Sequence, residues 1–476
     1  MDETAVNIHA FVSYRHNRPP DIQTRDKLEE LCAGKSISLI YDEKVTSEGD
    51  SLITFMEDLT AARCVFLFLS AAYFQSAYTL YELVSIHEQP DLDRHFVHPV
   101  RVTADMVTYQ RTAMETYWQE HEAVRNELSR LLKQPDHALV WQRVVVAWDA
   151  LVFPFLDTLQ PALEEGDADA ILQKRVGDMQ QSVKVAIAET TKRLHEKVKS
   201  EIGRILGNQY IPGNKLKREL RLDPSIETQA IAQRLAEEPD VGQAIAVITR
   251  VVQTQAKLLA AKPEQWDECL SDAEQLCGWL LINSVDPVWW FHNELKMQRA
   301  ARGGISHAFS LGDPAYIEVI ISRSILQAAR YDLNEYGKAK PVAENHDGTL
   351  LFDATEDATD ELLLARLYKR LHRSPRVPSQ VAELLEGIYS RAYSFYRTGQ
   401  GKPVYYLVTQ EQLELLESRS WFAEAQKKLA GYLQFICCDL QCQPYEQPAC
   451  REDQTLLLDQ VALLLSLRNG EENSYA

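Results

Sequence analysis

The chain has no long uninterrupted hydrophobic run. Its amino terminus, MDETAVNIHAF, lacks both a basic start and a long apolar stretch, so the sequence does not predict a signal peptide. The apolar run Val144–Leu159 is interrupted by Asp149 and Pro154, which argues against a transmembrane helix. We therefore expect a cytoplasmic protein without membrane contacts.

Positive charge is in short supply. The 476 residues include 50 Lys and Arg against 69 Asp and Glu, which gives a formal net charge of -19. Such a surface repels a phosphate backbone, so a nucleic acid contact would need a local basic patch or a basic partner chain. A small basic cluster lies at Lys215, Lys217, Arg218 and Arg221, and a solvated helix face is the more common explanation for such a cluster.

Cysteine is sparse and forms no paired CxxC arrangement. The eight cysteines are scattered, and the last four, between Cys437 and Cys450, do not follow a standard zinc spacing. We expect reduced structural thiols rather than a metal site.

The length of the chain indicates more than one domain. A single hydrophobic core stops growing at roughly 250 to 300 residues, so 476 residues predict two or three domains. The apolar fraction of 45% and the charged fraction of 25% are typical of a globular protein.

Strands and helices alternate over the first hundred residues. The predicted strands are Ile8–Ser13, Ser36–Tyr41, Cys64–Leu69 and Phe96–Val102, with helices near Asp21–Ala33, Ser51–Ala62 and Tyr78–His87. This order, with short connections, predicts a parallel sheet covered by helices on both faces. Two further helical segments, Thr108–Leu132 and Val140–Leu163, extend this first domain to about residue 165.

The rest of the chain has a different pattern. Apolar residues at helical spacing between Val183 and Ile205 predict a long helix, and further amphipathic runs predict a mainly helical region over residues 166–340. Trp289 and Trp290 are expected in its core. Residues 341–476 carry a predicted strand, Val404–Val408, among helices, which indicates an α+β part.

One stretch places a single acid on a helix directly after a buried strand. The segment VFLFLSAAYFQSAYTLYEL ends with Glu82 and Leu83, and its polar and aromatic positions are Ser70, Tyr73, Ser76 and Tyr78. This pattern, together with the first strand IHAFVSYRH and the loop YDEKVTSEGDSLITFMEDLTAARC, resembles the TIR domain family. The resemblance implies a flavodoxin-like fold for residues 1–165.

The resemblance also implies a chemistry. Many TIR domains cleave NAD+ between nicotinamide and ribose, with the glutamate that is matched here by Glu82. A fixed carboxylate stabilises the positive charge that develops on the ribose more than it stabilises the ground state. Nicotinamide leaves from a cationic state, so a second carboxylate to protonate it is not needed. NAD+ would be a substrate, and no further cofactor is implied.

The family pattern places further residues around this acid. The candidate substrate-binding residues are Phe11, Ser13, Tyr14, Arg15, Asp42, Glu43, Ser70 and Tyr78.

Roles for several of these residues follow from their chemistry. Arg15 is suited to a phosphate oxygen, and Phe11 and Tyr14 to an aromatic ring, although strand alternation prevents both rings from pointing the same way as Ser13. Simple solvation is the competing explanation for Glu82 on a helix, for Arg15 at a strand end and for Asp42 and Glu43 in a loop.

The chain departs from the family pattern at two places. A Trp-Cys pair often precedes the glutamate, whereas Tyr78 and Thr79 stand here, and the loop lacks the proline that is common in receptor adaptors. Neither change removes the acid.

The resemblance supports an NAD+ hydrolase that acts as a bacterial antiphage effector, where assembly completes the pocket and depletion of NAD+ stops the infected cell. In that case residues 166–476 sense the signal or bind a partner protein or a complex that carries nucleic acid. Two alternatives stay open: a non-catalytic scaffold that only self-associates, and a synthase that makes a cyclic ADP-ribose-type messenger.

Overall fold

A computed structural model shows the fold of two compact units, Met1–Glu189 and Thr190–Ala476. The structure describes residues 8–16, 18–41, 59, 62–89, 96–102, 111–155, 168–294, 309–310, 314–324, 326–334, 336–341, 359–372, 377–398, 404–408, 416, 418–419, 421–422, 425, 428, 432–439, 449–450 and 452–469.

A parallel sheet forms the centre of the first unit. Its strands are β1 (Ile8–Ser13), β2 (Ile37–Ile40), β3 (Cys64–Leu69) and β4 (Phe96–Arg101). Their order is β2-β1-β3-β4, and all three neighbouring pairs are parallel. The sequence-based prediction of a parallel sheet in an α/β domain is confirmed. All six residues of β3 are buried, as expected for an inner strand that is covered on both faces.

Helices of the first unit follow the predicted order. They are α1 (Pro19–Ala33), α2 (Ala77–His87), α3 (Arg111–Glu120), α4 (Glu122–Leu131) and α5 (His137–Leu151), with a 3₁₀ turn at Tyr73–Gln75. The helix predicted for residues 51–62 lies outside the described residues except at positions 59 and 62.

Local chemistry sets the ends of several helices. Two prolines open α1, where the missing N–H groups cost nothing. Asp136 caps α5, because its side chain accepts hydrogen bonds from the backbone N–H groups of Ala138 and Leu139. Helix α5 ends at Leu151, shortly before Pro154, as proline cannot continue it.

The two faces of this sheet carry different residues. Register and strand alternation place Val12, Phe66 and His98 on one face, which we call the Phe66 face. They place Ser13 and Leu67 on the other, which we call the Ser13 face.

A long helix, α6 (Ala168–Gly207), begins in the first unit. The side chain of Gln180 donates a hydrogen bond of 3.0 Å from Nε2 to the carbonyl of Lys35, next to β2. The side chains of Arg175 and Asp178 act electrostatically on His98 of β4. The first part of α6 therefore belongs to the Phe66 face.

The second unit is mainly helical. Its helices include α7 (Gly213–Glu219), α8 (Thr228–Ala236), α9 (Val241–Leu259), α10 (Pro263–Asn283), α11 (residues 287–294) and α12 (Ile317–Ser324). One apolar core joins these helices with the end of α6 and with helix α15 (Gln454–Ser466). The predicted helical region and the buried positions of Trp289 and Trp290 are confirmed.

Small sheets and a second core complete this unit. Strands β6 (Tyr331–Leu333) and β7 (Ala339–Pro341) form an antiparallel pair. Strands β5 (Phe309–Ser310), β8 (Val404–Val408) and β9 (Leu433–Asp439) form a parallel sheet of order β5-β9-β8.

The second core lies between α13 (Asp360–His372), α14 (Val381–Thr398) and the segments near β9. The α+β character predicted for the C-terminal part is confirmed.

The predicted boundaries at residues 165 and 340 stay predictions. The first compact unit ends at Glu189, within α6, and the second begins at Thr190. The larger core of the second unit also contains residues from both sides of position 340.

Five cysteines of the described chain have free, buried thiol groups: Cys32, Cys64, Cys269, Cys277 and Cys450. Burial raises the pKa of Cys32 and of Cys64 to about 12, so both thiols stay protonated at neutral pH.

Within the described residues, no helix is long and apolar enough to span a bilayer.

Candidate active site

The strand order reverses between β1 and β3, and open α/β sheets have their ligand crevice at such a point. Strand β2 lies beyond β1 and β4 lies beyond β3, so the chain connections leave this pair of strands in opposite directions. Ligands of open α/β sheets bind at such a point, at the carboxyl ends of the strands. Ser13 is the last residue of β1, and Ser70 directly follows β3.

Glu82 is buried beside the end of β1. Helix α2 carries it, and only 6% of its surface is exposed. The hydroxyl of Ser13 donates a hydrogen bond of 2.5 Å to Oε2 of Glu82. A buried acid that is held in this way is not a solvated helix residue, so the simplest competing explanation for Glu82 does not apply.

Tyr73 is the next member of this hydrogen-bonded group. It is fully buried in the 3₁₀ turn, and its hydroxyl oxygen lies 2.9 Å from Oγ of Ser13. Burial, and then the charge of Glu82, raise the pKa of Tyr73 well above its ordinary value. The phenol therefore keeps its proton over the whole physiological range.

The backbone of Tyr73 is held from both sides. Its N–H donates a hydrogen bond of 3.2 Å to Oγ of Ser70, and its carbonyl accepts a hydrogen bond from the hydroxyl of Thr79. Ser70 is fully buried, and the same N–H also donates a hydrogen bond of 3.0 Å to its carbonyl, so both the backbone and the side chain of Ser70 hold the turn. A contact from Ser70 to a ribose or phosphate stays a prediction.

Arg15 lies at the edge of the crevice. Its Nη1 donates a hydrogen bond of 3.0 Å to Oγ of Ser76, the residue that precedes α2. Arg15 is partly exposed as a whole residue, and binding of a phosphate by its guanidinium stays a prediction. Phe11 is partly buried and lies on the Ser13 face by strand alternation.

Two predicted residues are not part of this group. Tyr14 is buried on the Phe66 face, where its ring lies 6.2 Å from that of Phe68 and its hydroxyl accepts a hydrogen bond of 3.1 Å from Arg25. Tyr78 is 38% exposed, and its hydroxyl donates to Glu127 at 3.1 Å. Their roles in binding substrate stay predictions.

Asp42 and Glu43 lie outside the described residues.

Sequence reasoning gave Tyr73 a place in the motif but no role at the site. The signal was its spacing, four residues after the last residue of a buried strand and nine before the acid. Spacing alone does not show that the phenol meets a hydroxyl from β1, which is 60 residues away in the chain.

The second unit offers no comparable site at the positions singled out by sequence. In the basic cluster, Lys215 donates to Thr254, Lys217 donates to the carbonyl of Pro224, and Arg218 lies 3.9 Å from Glu219. Among the described residues, no group of three or more His, Cys, Asp or Glu side chains is placed to hold a metal ion.

Part of the first unit matches a known protein family. A family model described as TIR domain matches residues 10–139, which include β1, the 3₁₀ turn and α2. Residues 10–139 form a TIR domain.

The match covers the group formed by Ser13, Tyr73 and Glu82 and confirms the family resemblance. The remainder of the chain matches no family model. Neither the curated proteins nor the solved structures give a match.

Proposed function

We propose that the TIR domain cleaves NAD+ between nicotinamide and ribose, with Glu82 as the catalytic carboxylate. The observation that carries this proposal is the position of Glu82. It is 6% exposed, lies beside the carboxyl end of β1, and accepts a hydrogen bond from Ser13. This position combines burial and a fixed orientation with proximity to the carboxyl end of β1, and ligands of this fold class bind at such strand ends.

The electrostatics of a buried carboxylate favour this reaction. Removing an anion from water is costly unless positive charge or hydrogen bonds compensate. When the bond to nicotinamide breaks, positive charge moves from the pyridine ring to the ribose. A carboxylate that is already oriented and desolvated stabilises that charge without reorganisation, which is how a fixed charge lowers a barrier.

The neighbouring residues suit the same substrate. Arg15 presents a guanidinium at the edge of the crevice for the diphosphate, and Phe11 provides an aromatic face on the same side as Ser13. The leaving group is cationic in the substrate, so one carboxylate is enough. No resident cofactor is needed, because NAD+ is the substrate.

We further propose a bacterial antiphage role in the cytoplasm. Assembly of TIR domains would complete the pocket, and loss of NAD+ would stop the infected cell. The second unit, which matches no family model, is then the part that detects the signal or docks a partner protein or a nucleic acid complex. A pocket completed by assembly gives tight control, since an incomplete pocket stabilises the ribose cation poorly.

The test measures NAD+ turnover by the purified full-length protein, with and without a crowding agent, and separates the products by chromatography. Glu82→Gln keeps the shape of the side chain but removes its charge, so we expect turnover to fall about 10²- to 10³-fold. Glu88→Gln is the matched control. Glu88 directly follows the same helix but forms a surface ion pair with Arg143 at 2.5 Å. The Glu88→Gln variant should therefore turn over NAD+ as fast as the wild type.

The products separate the alternatives. Nicotinamide with linear ADP-ribose supports the hydrolase, whereas a cyclic product would favour the synthase. Assembly without any loss of NAD+ would favour the scaffold, and undiminished turnover by Glu82→Gln would remove Glu82 from the mechanism.

A further inference from the structure

Three buried side chains form a chain of hydrogen bonds that ends on Glu82. They come from three elements: Tyr73 from the 3₁₀ turn, Ser13 from β1 and Glu82 from α2. The phenol oxygen lies 2.9 Å from Oγ of Ser13, and Oγ lies 2.5 Å from Oε2 of Glu82. Tyr73 is 0% exposed and Ser13 is 1% exposed, so water does not compete for either hydroxyl.

The direction of these bonds follows from the number of protons. A serine hydroxyl has one proton, and Ser13 uses it to donate to Glu82. The contact between Tyr73 and Ser13 therefore needs the phenol as donor and Oγ as acceptor. The phenol retains its proton because burial and the nearby charge of Glu82 raise the pKa of Tyr73. The order is thus Tyr73 to Ser13 to Glu82.

We propose that Tyr73 is a positioning residue that acts on the reaction through Ser13. Its phenol fixes the Ser13 hydroxyl in the orientation that donates to Glu82, and this bond holds the carboxylate in one rotamer as an anion. The inference rests on the proposed function, because positioning has a kinetic effect only if Glu82 acts on NAD+.

The surroundings of Tyr73 are those of a positioned group. The turn is held at its N–H by Ser70 and at its carbonyl by Thr79. The ring of Tyr73 also packs edge-on against Phe74, with ring centroids 5.2 Å apart. A phenol held at its backbone and at its ring places its hydroxyl within a narrow range, which is what orientation of a second hydroxyl requires.

The first experiment compares kcat, KM and pH profiles for NAD+ cleavage by four full-length variants: Tyr73→Phe, Ser13→Ala, the double variant of these two, and the control Tyr117→Phe. Tyr73→Phe removes only the first donor, so we expect kcat to fall about tenfold with KM nearly unchanged. Ser13→Ala removes the bond to Glu82, and we expect a fall of about 10- to 100-fold. Because the bonds act in series, the double variant should be no slower than Ser13→Ala alone.

The pH profile separates positioning from general loss of structure. Losing a donor to the charged form disfavours that form, so the acid limb of the kcat profile should move to higher pH in Tyr73→Phe and Ser13→Ala. Tyr117→Phe is the matched control. It removes a phenol that donates to the carbonyl of Gln75 at 3.4 Å in the same turn, and it should leave kcat and the pH profile unchanged.

Three results would overturn the inference: a wild-type kcat and acid limb in Tyr73→Phe, single losses that multiply in the double variant, or an equal pH shift in Tyr117→Phe. A lower Tm in Tyr73→Phe with unchanged kinetics would likewise show a structural role only.

A second experiment separates failure of this inference from failure of the proposed function. Thermal unfolding is measured for wild type, Tyr73→Phe, Glu82→Gln and the double variant. If the phenol supports the charged carboxylate, Tyr73→Phe lowers the Tm by about 2–4 °C in the wild type and by less in Glu82→Gln. If the effect of Tyr73→Phe on the Tm depends on the charge of Glu82 but the protein does not cleave NAD+, only the proposed function is contradicted. If the protein cleaves NAD+ but the two substitutions act independently on the Tm, only the positioning role of Tyr73 is contradicted.

Discussion

At the scale of single residues, burial on the Phe66 face changes the pKa of His98. It lies on β4, and its ring centroid is 5.7 Å from that of Phe66. Burial, and then the charge of Arg175, lower the pKa of His98 from 6.5 to about 4. The imidazole is therefore neutral in the folded protein at physiological pH.

This lowered pKa predicts an acid-sensitive stability. Between pH 6.5 and pH 4 the unfolded chain binds a proton that the folded protein does not, so the contribution of His98 is present above pH 6.5 and lost as the pH falls towards 4. From pH 7.5 to pH 5 the loss is on the order of 2 kcal/mol. Thermal unfolding should show that His98→Gln loses less stability between pH 7.5 and pH 5 than the wild type does. Parallel pH profiles of stability for the two proteins would contradict the prediction.

Single residues also show what a sequence pattern can and cannot give. The motif identified Glu82 and Ser13 as candidates, and the structure brings them within 2.5 Å. Tyr14 is the next residue after Ser13, yet alternation along the strand sends it to the opposite face. The contact of Tyr73 with Ser13 depends on tertiary packing across 60 residues, which spacing does not encode.

At the scale of elements, Gly278 allows α10 to approach a neighbouring segment closely. The backbone N–H of Ala329 donates a hydrogen bond of 3.2 Å to the carbonyl of Gly278. A Cβ at position 278 would lie 2.2 Å from the carbonyl oxygen of Ala329, which no side chain can tolerate without backbone movement. Glycine thus sets the packing distance between α10 and the segment before β6.

Gly278→Ala should destabilise the second unit. Forcing the backbone apart costs about 1–3 kcal/mol, which appears as a lower Tm. Gly207→Ala, at the end of α6, is the matched control, because a Cβ there meets nothing within 4 Å. We expect the control to keep or slightly raise the Tm, since alanine favours a helix over glycine. An equal effect of the two substitutions would contradict the role of close packing.

Elements differ in how well the sequence predicts them. Strand β3 was predicted at Cys64–Leu69 and is observed there, because a short, continuous apolar run is a strong local signal for a fully buried strand. The two-residue strand β5 was not predicted. It pairs with β9, more than a hundred residues later, and such pairing leaves no local pattern.

At the scale of the whole molecule, the first unit extends beyond the family match. The match ends at residue 139, whereas the unit continues to Glu189 and includes the start of α6. Four apolar side chains of that part of the helix are at most 5% exposed: Leu172, Val176, Met179 and Val183. The hydrogen bond from Gln180 to Lys35 ties the same part to the edge of the sheet.

These contacts predict where the chain can be cut. Each buried apolar side chain contributes about 1.5–3 kcal/mol, so the four together are worth roughly 6–12 kcal/mol, which is comparable with the stability of a whole domain. We expect a fragment of residues 1–189 to unfold cooperatively, and a fragment of residues 1–165 to lack a cooperative transition. Circular dichroism with thermal unfolding measures both.

Point substitutions in the longer fragment refine the test. Val176→Asp places a charge at a position that is 0% exposed, so it should abolish the cooperative unfolding transition of the 1–189 fragment. Val185→Asp, at a position that is 45% exposed, should leave that transition in place. A cooperative transition in the shorter fragment would show that the sheet does not need this helix.

The span of the hydrogen bond between Ser13 and Glu82 has a consequence for biosynthesis. The two residues are 69 positions apart, so a nascent chain leaving the ribosome carries β1 long before it carries the acid. The sheet is then covered by α6 only when residues near 183 have also emerged. Because domains fold as units during translation, the carboxylate stays unoriented until more than a third of the protein has been made.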